Sequence, residues 1–291
     1  MTIIDSGTQP EEQAYFSTSL VQPETATGDL ILDQYDTPFG DQQIVVIGPT
    51  DHRVKKAFEI ERDNMVLLGE TEENADADLR VGFSDARFLT LYNKGTDLTP
   101  ENMLGVVRVT DASPITRRLI TIEQVTTVTH ESYDEVFAHV INQTGESDPS
   151  KIFDINTYGM SEDIIMQAFS GNKQPFRDAK ESLMYAMCRE GIRANREQGA
   201  TTALAFFTEI SINAFTSRGY DWKPLNGYQP MNEERETATG ELVPGPMLLP
   251  TVLNIPTHID RMRTHVTEHL GNMASFMLKN GVDLTPPVVV A

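Results

Sequence analysis

The feature that most constrains the fold is the order in which short apolar runs and longer amphipathic stretches alternate along the chain. The run at 44–47 ends at Gly48 and Pro49, which predicts a strand, and a helix with Phe58, Met65 and Leu68 on its apolar side follows. The same patterns predict further strands at 87–92, 104–109, 119–128, 152–158, 203–207, 220–225 and 248–253. They predict helices at 132–141, 178–198 and 210–217. Such an order is typical of an α/β domain with a mixed sheet.

Charge and cysteine content exclude several classes of protein. The formal net charge of -20 disfavours binding to nucleic acid or to an anionic membrane, which carry the same sign. A single cysteine permits neither an intrachain disulfide framework nor a cysteine-based zinc cluster. The sequence has no basic segment followed by an apolar run at its start, and no run approaching about 18 apolar residues. We therefore expect a cytoplasmic protein without a membrane span.

The two ends of the chain differ from its centre. Residues 1–41 carry acidic side chains and no Lys or Arg, which is typical of a tail. Its short apolar patches at 14–16 and 30–32 could instead lie against the main domain or a partner subunit. Near the other end, Thr257 is the expected cap of a helix whose apolar stripe begins at Ile259 and Met262. We expect three parts, which are an acidic N-terminal tail at 1–41, one domain at 42–254 and a C-terminal helical extension at 255–291.

The C-terminal helix also contains the pattern H-x-x-E-H, formed by His265, Glu268 and His269, with His258 nearby. In zinc peptidases of this pattern two histidines bind the metal and the glutamate activates water. The helix leaves little sequence for the further acidic ligand that such a peptidase needs. We expect no metal site and keep a zinc hydrolase as the weakest alternative.

Three segments resemble the GNAT superfamily of acyltransferases, and in particular its branch of autoinducer (acyl-homoserine lactone) synthases and long-chain N-acyl amino acid synthases. GVVRVT at 105–110 resembles a strand of the autoinducer synthases, and FDINTYGM at 153–160 resembles their central strand. The segment 199–225 is similar to the strand, helix and aromatic edge strand that close such domains. The resemblance implies a GNAT-like mixed, mostly antiparallel central sheet flanked by helices, and an acyltransferase.

The resemblance implies that Asp154 is the catalytic base. It lies between apolar Phe153 and Ile155, where desolvation would raise its pKa. The alternative is a structural aspartate that is hydrogen-bonded to a turn. Arg108 is the second catalytic candidate, because a fixed cation on an inner strand can hold an acceptor carboxylate. Its alternative is a surface salt bridge.

The resemblance also indicates an acceptor site. Arg53 and Arg62 stand where the family has arginines in its first helix, and either could instead be an ordinary helix-surface arginine. Thr157 occupies the position of an arginine in the autoinducer synthases. This difference argues against a methionine-derived acceptor, so we expect an amino acid or another small amine.

The donor implied by the resemblance is an acyl thioester of coenzyme A or of acyl carrier protein, which serves as cosubstrate, and no tightly bound cofactor is expected. Lys173 and Arg177, before the long helix, fit phosphate neutralisation. Arg189 and Arg193 lie on one helical face with Arg196, where they could dock an acidic carrier protein or simply complement the helix dipole. A coenzyme A signature is absent from the loop at 171–177, which favours the carrier protein. A non-catalytic sensor of acyl thioesters is the main alternative function.

Overall fold

The computed structural model of the chain describes most of residues 30–268. The described residues are 30–37, 40–67, 70–80, 83–112, 118–168, 179–180, 182–184, 186–187, 190–191, 193–194, 199–217, 219–232, 234–236, 242–244 and 247–268. No helix within these ranges is long and apolar enough to cross a membrane.

The strands divide between one large sheet and one small pair. In chain order they are β1 (Leu30–Thr37), β2 (Gly40–Ile47), β3 (Ala86–Asn93), β4 (Gly105–Asp111), β5 (Ile152–Met160), β6 (Thr202–Phe207), β7 (Lys223–Pro224), β8 (Glu234–Glu236), β9 (Leu242–Pro244) and β10 (Leu249–Asn254). Eight of them form a sheet in the order β1-β2-β3-β4-β5-β6-β10-β7, and β8 pairs with β9. Within this sheet β5 and β6 are parallel, whereas the other neighbours are antiparallel.

Helices cover both faces of the large sheet. They are α1 (Val54–Leu67), α2 (Glu72–Arg80), α3 (Ile120–Thr129), α4 (Tyr133–Thr144), α5 (Glu162–Ala168), α6 (the helical positions described between 179 and 194), α7 (Glu209–Thr216) and α8 (Ile255–Glu268). We call the side packed against α1 to α4 the front face and the side packed against α5 to α8 the back face. The expected fold class, a mixed and mostly antiparallel sheet flanked by helices, is confirmed.

The alternation of side chains along β4 separates two cores. Val106 packs on the front face against residues of α1, such as Ala57 and Ile60. Val107 and Val109 point to the back face, where the core includes Leu183 of α6. Successive strand residues face opposite sides, so each strand contributes to both cores.

The pairing of β5 with its two neighbours, β4 and β6, is interrupted near the middle of the strand. On β4, Arg108 pairs with Thr157 but the next residue pairs with Ile155, which leaves Asn156 as the extra residue of a β-bulge. The parallel pairing of β5 with β6 ends at Ile155 and Ala205, although both strands continue. A bulge bends its strand, and the second half of β5 therefore runs beside β4 and away from β6.

Several predicted elements are confirmed, and their physical cues are visible. The strands expected at 87–92, 104–109, 152–158, 203–207 and 248–253 and the helices expected at 132–141 and 210–217 are present within two or three residues. Ser132 accepts a hydrogen bond from the Glu135 N–H and the Glu135 carboxylate accepts one from the Ser132 N–H, so α4 begins with a capping box.

The prediction of a strand at 119–128 is wrong, because this segment forms α3. Its β-branched residues favour a strand locally. In the structure Thr121, Ile122 and Val125 are buried, and their three- and four-residue spacing places them on one helical face. Packing against the sheet therefore outweighs the local preference.

The prediction of which face of α1 is buried is also wrong. The helix buries Val54, Ala57, Ile60 and Glu61, whereas Phe58 and Met65 are only half-buried and Leu68 lies outside the described residues. Small side chains and one carboxylate thus form the contact with the sheet, which large apolar residues alone do not reveal.

The remaining differences concern ends of elements. The sheet begins at Leu30, inside the segment 1–41 expected to be a tail, because Leu30–Thr37 pairs with β2. Of the edge strand expected at 220–225, only Lys223–Pro224 pairs, with β10. The last helix begins at Ile255 rather than after Thr257, and the Asn254 side chain accepts a hydrogen bond from the Thr257 N–H at 2.9 Å. Asn254 is therefore the cap.

The closest contact between α1 and the sheet predicts a specific destabilisation. A Cβ atom added at Gly159 would lie 2.6 Å from the Ile60 backbone oxygen and 2.9 Å from its Cγ2 atom. We expect Gly159→Ala to lower the free energy of unfolding by about 1–3 kcal/mol, because α1 must shift. Denaturant unfolding measures this. Gly48→Ala is the control, since nothing lies within 4 Å of its added Cβ, and equal effects of the two changes would contradict the close approach.

Candidate active site

A buried glutamate on α1 forms the centre of a polar cluster on the front face. The side chain of Glu61 is 0% exposed, and its Oε1 atom accepts a hydrogen bond from the Thr157 hydroxyl. The Arg108 Nε atom lies 3.4 Å from the same oxygen. The second oxygen, Oε2, is buried without a hydrogen-bond partner among the described residues. One carboxylate oxygen is thus held and the other is available to a ligand.

Burial gives this carboxylate an unusual proton affinity. Desolvation raises the pKa of Glu61 to about 7, although the charge of Arg108 acts in the opposite direction. A carboxyl group with a pKa near neutrality exchanges its proton readily at physiological pH, which is the property required of a general base or acid.

The fold brings this cluster together through β5. The absence of a side chain at Gly159 allows α1 to approach the strand at Ile60, next to Glu61. The bulge at Asn156 then places Thr157 opposite Arg108 on β4. Glu61 consequently lies against the part of β5 that no longer pairs with β6.

Arg108 is an interior residue, 3% exposed. Its guanidinium group donates a hydrogen bond to the Leu79 backbone oxygen at 2.5 Å and contacts Glu61. This burial rules out the surface salt bridge that was the alternative interpretation. Arg108 therefore joins the end of α2 to Glu61, and two of the residues singled out from the sequence, Arg108 and Thr157, lie in one cluster.

Asp154, the base expected from the sequence, lies elsewhere on the front face. It is fully buried, and its two oxygens accept hydrogen bonds from the backbone N–H groups of Ile120 at 2.7 Å and Thr121 at 3.3 Å. These are the first two residues of α3, whose amides have no partner within the helix. Asp154 therefore caps the first turn of α3 from a neighbouring strand.

The other expected acceptor residues differ in their surroundings. Arg53 is buried and is held by Asp51, to which its Nε and Nη2 atoms donate at 2.9 and 2.6 Å. Arg62 is half-buried, 3.6 Å from Asp63, and its buried Nε atom has no hydrogen-bond partner among the described residues. Of these two arginines, Arg62 has the more available hydrogen-bond donor.

A largely apolar recess lies on the back face beside the same part of β5. Its lining includes Val107, Tyr158, Leu183, Met184, Met187 and Phe215. Lys180 lies with its ammonium group 5.7 Å from the centre of the Tyr158 ring. The separated strands thus have a polar cluster on one face and an apolar recess on the other.

Among the expected donor-binding residues, Lys173, Arg177 and Arg189 lie outside the described residues, as does Arg196. Arg193 pairs with Glu190, which is 0% exposed and also binds Arg87. Burial raises the pKa of Glu190, but the two arginines outweigh it and hold the pKa below its usual value. This arrangement ties α6 to β3.

The zinc interpretation concerns residues that are largely outside the description. The side chains of His265 and Glu268 and the whole of His269 lie there. His258 is buried, its ring is stacked on that of Tyr220 at 5.6 Å, and burial lowers its pKa to about 4. Within the described part of the chain, no group of three or more His, Cys, Asp or Glu side chains is placed to hold a metal ion.

Glu61 is the functional candidate that the sequence did not identify. A signal existed in the spacing, because Val54, Ala57 and Glu61 follow one another at three and four residues and so share a helical face. A glutamate is rarely fully buried unless it is paired, so a glutamate on the buried face of a helix predicts a polar partner. The prediction placed the large apolar residues on the buried side of the helix, and the face that contains Glu61 was therefore not identified.

The pH dependence of stability tests the environment of Asp154. Burial raises its pKa from 3.8 in the unfolded chain to about 7 in the folded chain. The folded chain therefore binds more protons between these values, and the contribution of Asp154 to stability is lost as pH rises from about 4 to about 7. Measured by denaturant unfolding, Asp154→Asn should reduce this decline, because the amide does not ionise. An unchanged pH profile would mean that Asp154 is not desolvated.

No protein-family model matches the sequence, and no curated protein matches it. Among solved structures, the fold is similar to that of FeeM, an N-acyl amino acid synthase from uncultured soil microbes, with 11% identity, coverage of 76% of this chain and 95% of that one, and a TM-score of 0.47. It is also similar to BjaI, a coenzyme A-dependent acyl-homoserine lactone synthase, with 15% identity, 76% and 88% coverage, and a TM-score of 0.43. A third is the C-terminal condensation domain of Ebony in complex with beta-alanyl-dopamine, with 13% identity, 73% and 98% coverage, and a TM-score of 0.43.

Proposed function

We propose that this protein is an acyltransferase that moves an acyl group from a thioester to the amine of a small acceptor. The observation that carries the proposal is the separation of β5 from β6, with Glu61 on the front face and an apolar recess on the back face. A transferase for apolar acyl groups needs such a pairing, because the acyl chain requires a dry site and the amine requires a base.

The free edge of β5 is suited to an extended donor. Beyond Ile155 the strand continues to Met160 without pairing to β6, so within the described part of the chain the backbone N–H and C=O groups on that edge have no partner strand. A donor arm that contains amide groups can pair with such an edge as an added strand. This pairing would hold the thioester between the cluster and the recess.

In the proposed step the acceptor nitrogen attacks the thioester carbonyl carbon. Glu61 accepts the proton that the nitrogen loses, through its unpaired Oε2 atom. The new C–N bond forms as the C–S bond breaks, and the sulfur leaves as a thiol after taking up a proton. The Thr157 hydroxyl bond and the charge of Arg108 keep the carboxylate in place. Asp154 remains the second candidate for the base.

We propose an amino acid or a similar small amine as the acceptor. Arg108 belongs to the cluster, and Arg62 directly follows Glu61 in the sequence. The buried Nε atom of Arg62 is a donor for an acceptor carboxylate. Arg53 is the weaker candidate, since Asp51 already binds it through two nitrogens.

The donor is proposed to be acyl carrier protein or coenzyme A carrying the acyl chain as a thioester. Lys173, Arg177 and Arg189 are retained from the sequence as candidates for binding its phosphate groups or the carrier. Arg193 is retained as well, although its pairing with Glu190 already gives it a structural role.

The base is tested by replacing Glu61 with Gln, which keeps the size of the side chain but cannot accept the proton. Since a general base contributes about 10²–10⁴-fold, we expect thiol release from a long-chain acyl thioester with an amine mixture to fall by at least about 10²-fold. The wild-type rate should rise with pH through about 7, where Glu61 loses its proton, and the variant should lack this rise.

The control on the same helix is Glu59→Gln, because Glu59 contacts Lys56 at 3.6 Å near the surface. Asp154→Asn is measured beside it. A rate that depends on Asp154 and not on Glu61 would transfer the role of base to Asp154. No thiol release from any thioester, together with stabilisation of the fold by the thioester, would instead support the sensor.

A further inference from the structure

A lysine borders the apolar recess on the back face. Lys180 of α6 lines this recess together with Tyr158 and Ser211, and it is the only charged side chain among the described lining residues. Lys180 is half-buried, and none of the carboxylates in the described part of the chain forms an ion pair with it. A structural ion pair there does not account for this cation, and its ammonium group is available to a ligand.

The aromatic ring of Tyr158 positions the ammonium group. The Nζ atom of Lys180 lies 5.7 Å from the centre of this ring, which is within the range of a cation–π interaction. The ring is itself packed edge-on against that of Phe215, with 6.5 Å between the two centres. Tyr158 pairs with Val107 of β4, in the part of β5 that no longer pairs with β6. Lys180 is therefore held beside this part of β5.

Glu61 and Lys180 lie on opposite faces of the same short stretch of β5. Thr157, whose hydroxyl donates to Glu61, directly precedes Tyr158 in the chain. Successive residues of a strand face opposite sides of the sheet, so the carboxylate is on the front face and the ammonium group is on the back face. A thioester bound along this edge of β5 would have a base on one side and a cation on the other.

The departure of the thiol requires a group of this kind. When the C–S bond of a thioester breaks, its electron pair stays on the sulfur atom. The pKa of an alkyl thiol is about 8.5, as in free cysteine, so the thiolate is a poor leaving group near neutral pH unless it receives a proton. An apolar recess offers little water to stabilise the charge. An ammonium group that donates a proton to the sulfur removes it.

We propose that Lys180 is the general acid of the transfer and donates a proton from its Nζ atom to the departing sulfur. This inference rests on the proposed function, which supplies the thioester. As the C–N bond forms, the acceptor nitrogen loses a proton to Glu61. As the C–S bond breaks, the sulfur takes the proton of Lys180 and leaves as a thiol. Glu61 then releases its proton to solvent and Lys180 regains one, so the products are an amide and a thiol.

The test varies the leaving group. Decanoyl thioesters of N-acetylcysteamine, an alkyl thiol, and of para-nitrothiophenol, an aryl thiol that leaves without a proton, are compared with the same amine mixture, after subtraction of the rate without protein. In Lys180→Met the side chain keeps its unbranched shape but has no proton to donate. We expect kcat/KM for the alkyl thioester to fall by at least about 10²-fold, the contribution of a general acid. The value for the aryl thioester should change by less than about threefold, because its sulfur needs no acid.

Further variants distinguish the ammonium group from its surroundings. Lys223→Met is the matched control, because Lys223 pairs with Asp221 at 3.3 Å on the edge strand β7, and it should leave both rates unchanged. Tyr158→Leu removes the ring that positions the ammonium group, so it should also lower the alkyl rate more than the aryl rate. Tyr158→Phe keeps the ring and lacks the hydroxyl. A loss confined to the alkyl thioester in this variant, as large as that in Lys180→Met, would make Tyr158 the acid and overturn the proposal.

The pattern of losses separates this inference from the proposed function. Equal losses with both thioesters in Lys180→Met would leave Lys180 a structural residue, and the transferase proposal would stand. A loss with decanoyl-coenzyme A but with neither of the two phosphate-free thioesters would make Lys180 a phosphate-binding residue instead of an acid. If the wild-type protein releases no thiol from either thioester with any amine, the transferase proposal fails and the role of Lys180 fails with it.

Discussion

The contact of α1 with β5 at Gly159 is the constraint on which the rest of the candidate site depends. Because no side chain intervenes, the helix backbone rests on the strand, and Glu61 is carried into the interior beside Thr157. A helix at the usual distance from the sheet would leave this carboxylate nearer to water, with an ordinary pKa. The proton affinity of the site is thus a consequence of backbone packing.

Three buried carboxylates illustrate how surroundings divide structural from reactive groups. Glu190 has two arginines, and its pKa is lowered, so it remains charged and serves as a tie between α6 and β3. Asp154 has two backbone amides and no arginine, and burial raises its pKa while both oxygens are occupied. Glu61 combines a raised pKa with an unoccupied oxygen. Only this combination leaves a group that is both basic near neutrality and open to a ligand.

The sequence was sufficient for most of the sheet and less informative about the site. The strand β6 was predictable because a continuous apolar run of strand length has few alternatives. The helix α3 was not, since its β-branched residues favour a strand until Asp154 and the sheet surface are in place. Arg108 and Thr157 were found through a short resemblance, whereas Glu61 was missed because its burial depends on Gly159, about a hundred residues away in the chain. The spacing of Val54, Ala57 and Glu61 indicates a shared helical face, but the contact with Gly159 has no local signal.

The direct passage of β10 into α8 has a consequence for how the C-terminal part of the chain is regarded. Asn254 ends the strand and Ile255 begins the helix, so no linker separates the expected extension from the sheet. Ile255 and His258 are buried in the first turn of this helix, where they line a recess beside Trp222. The first turn of α8 is therefore part of the core of the domain and not a separate extension. Removing residues from 255 onward would open the core to water at its only tryptophan.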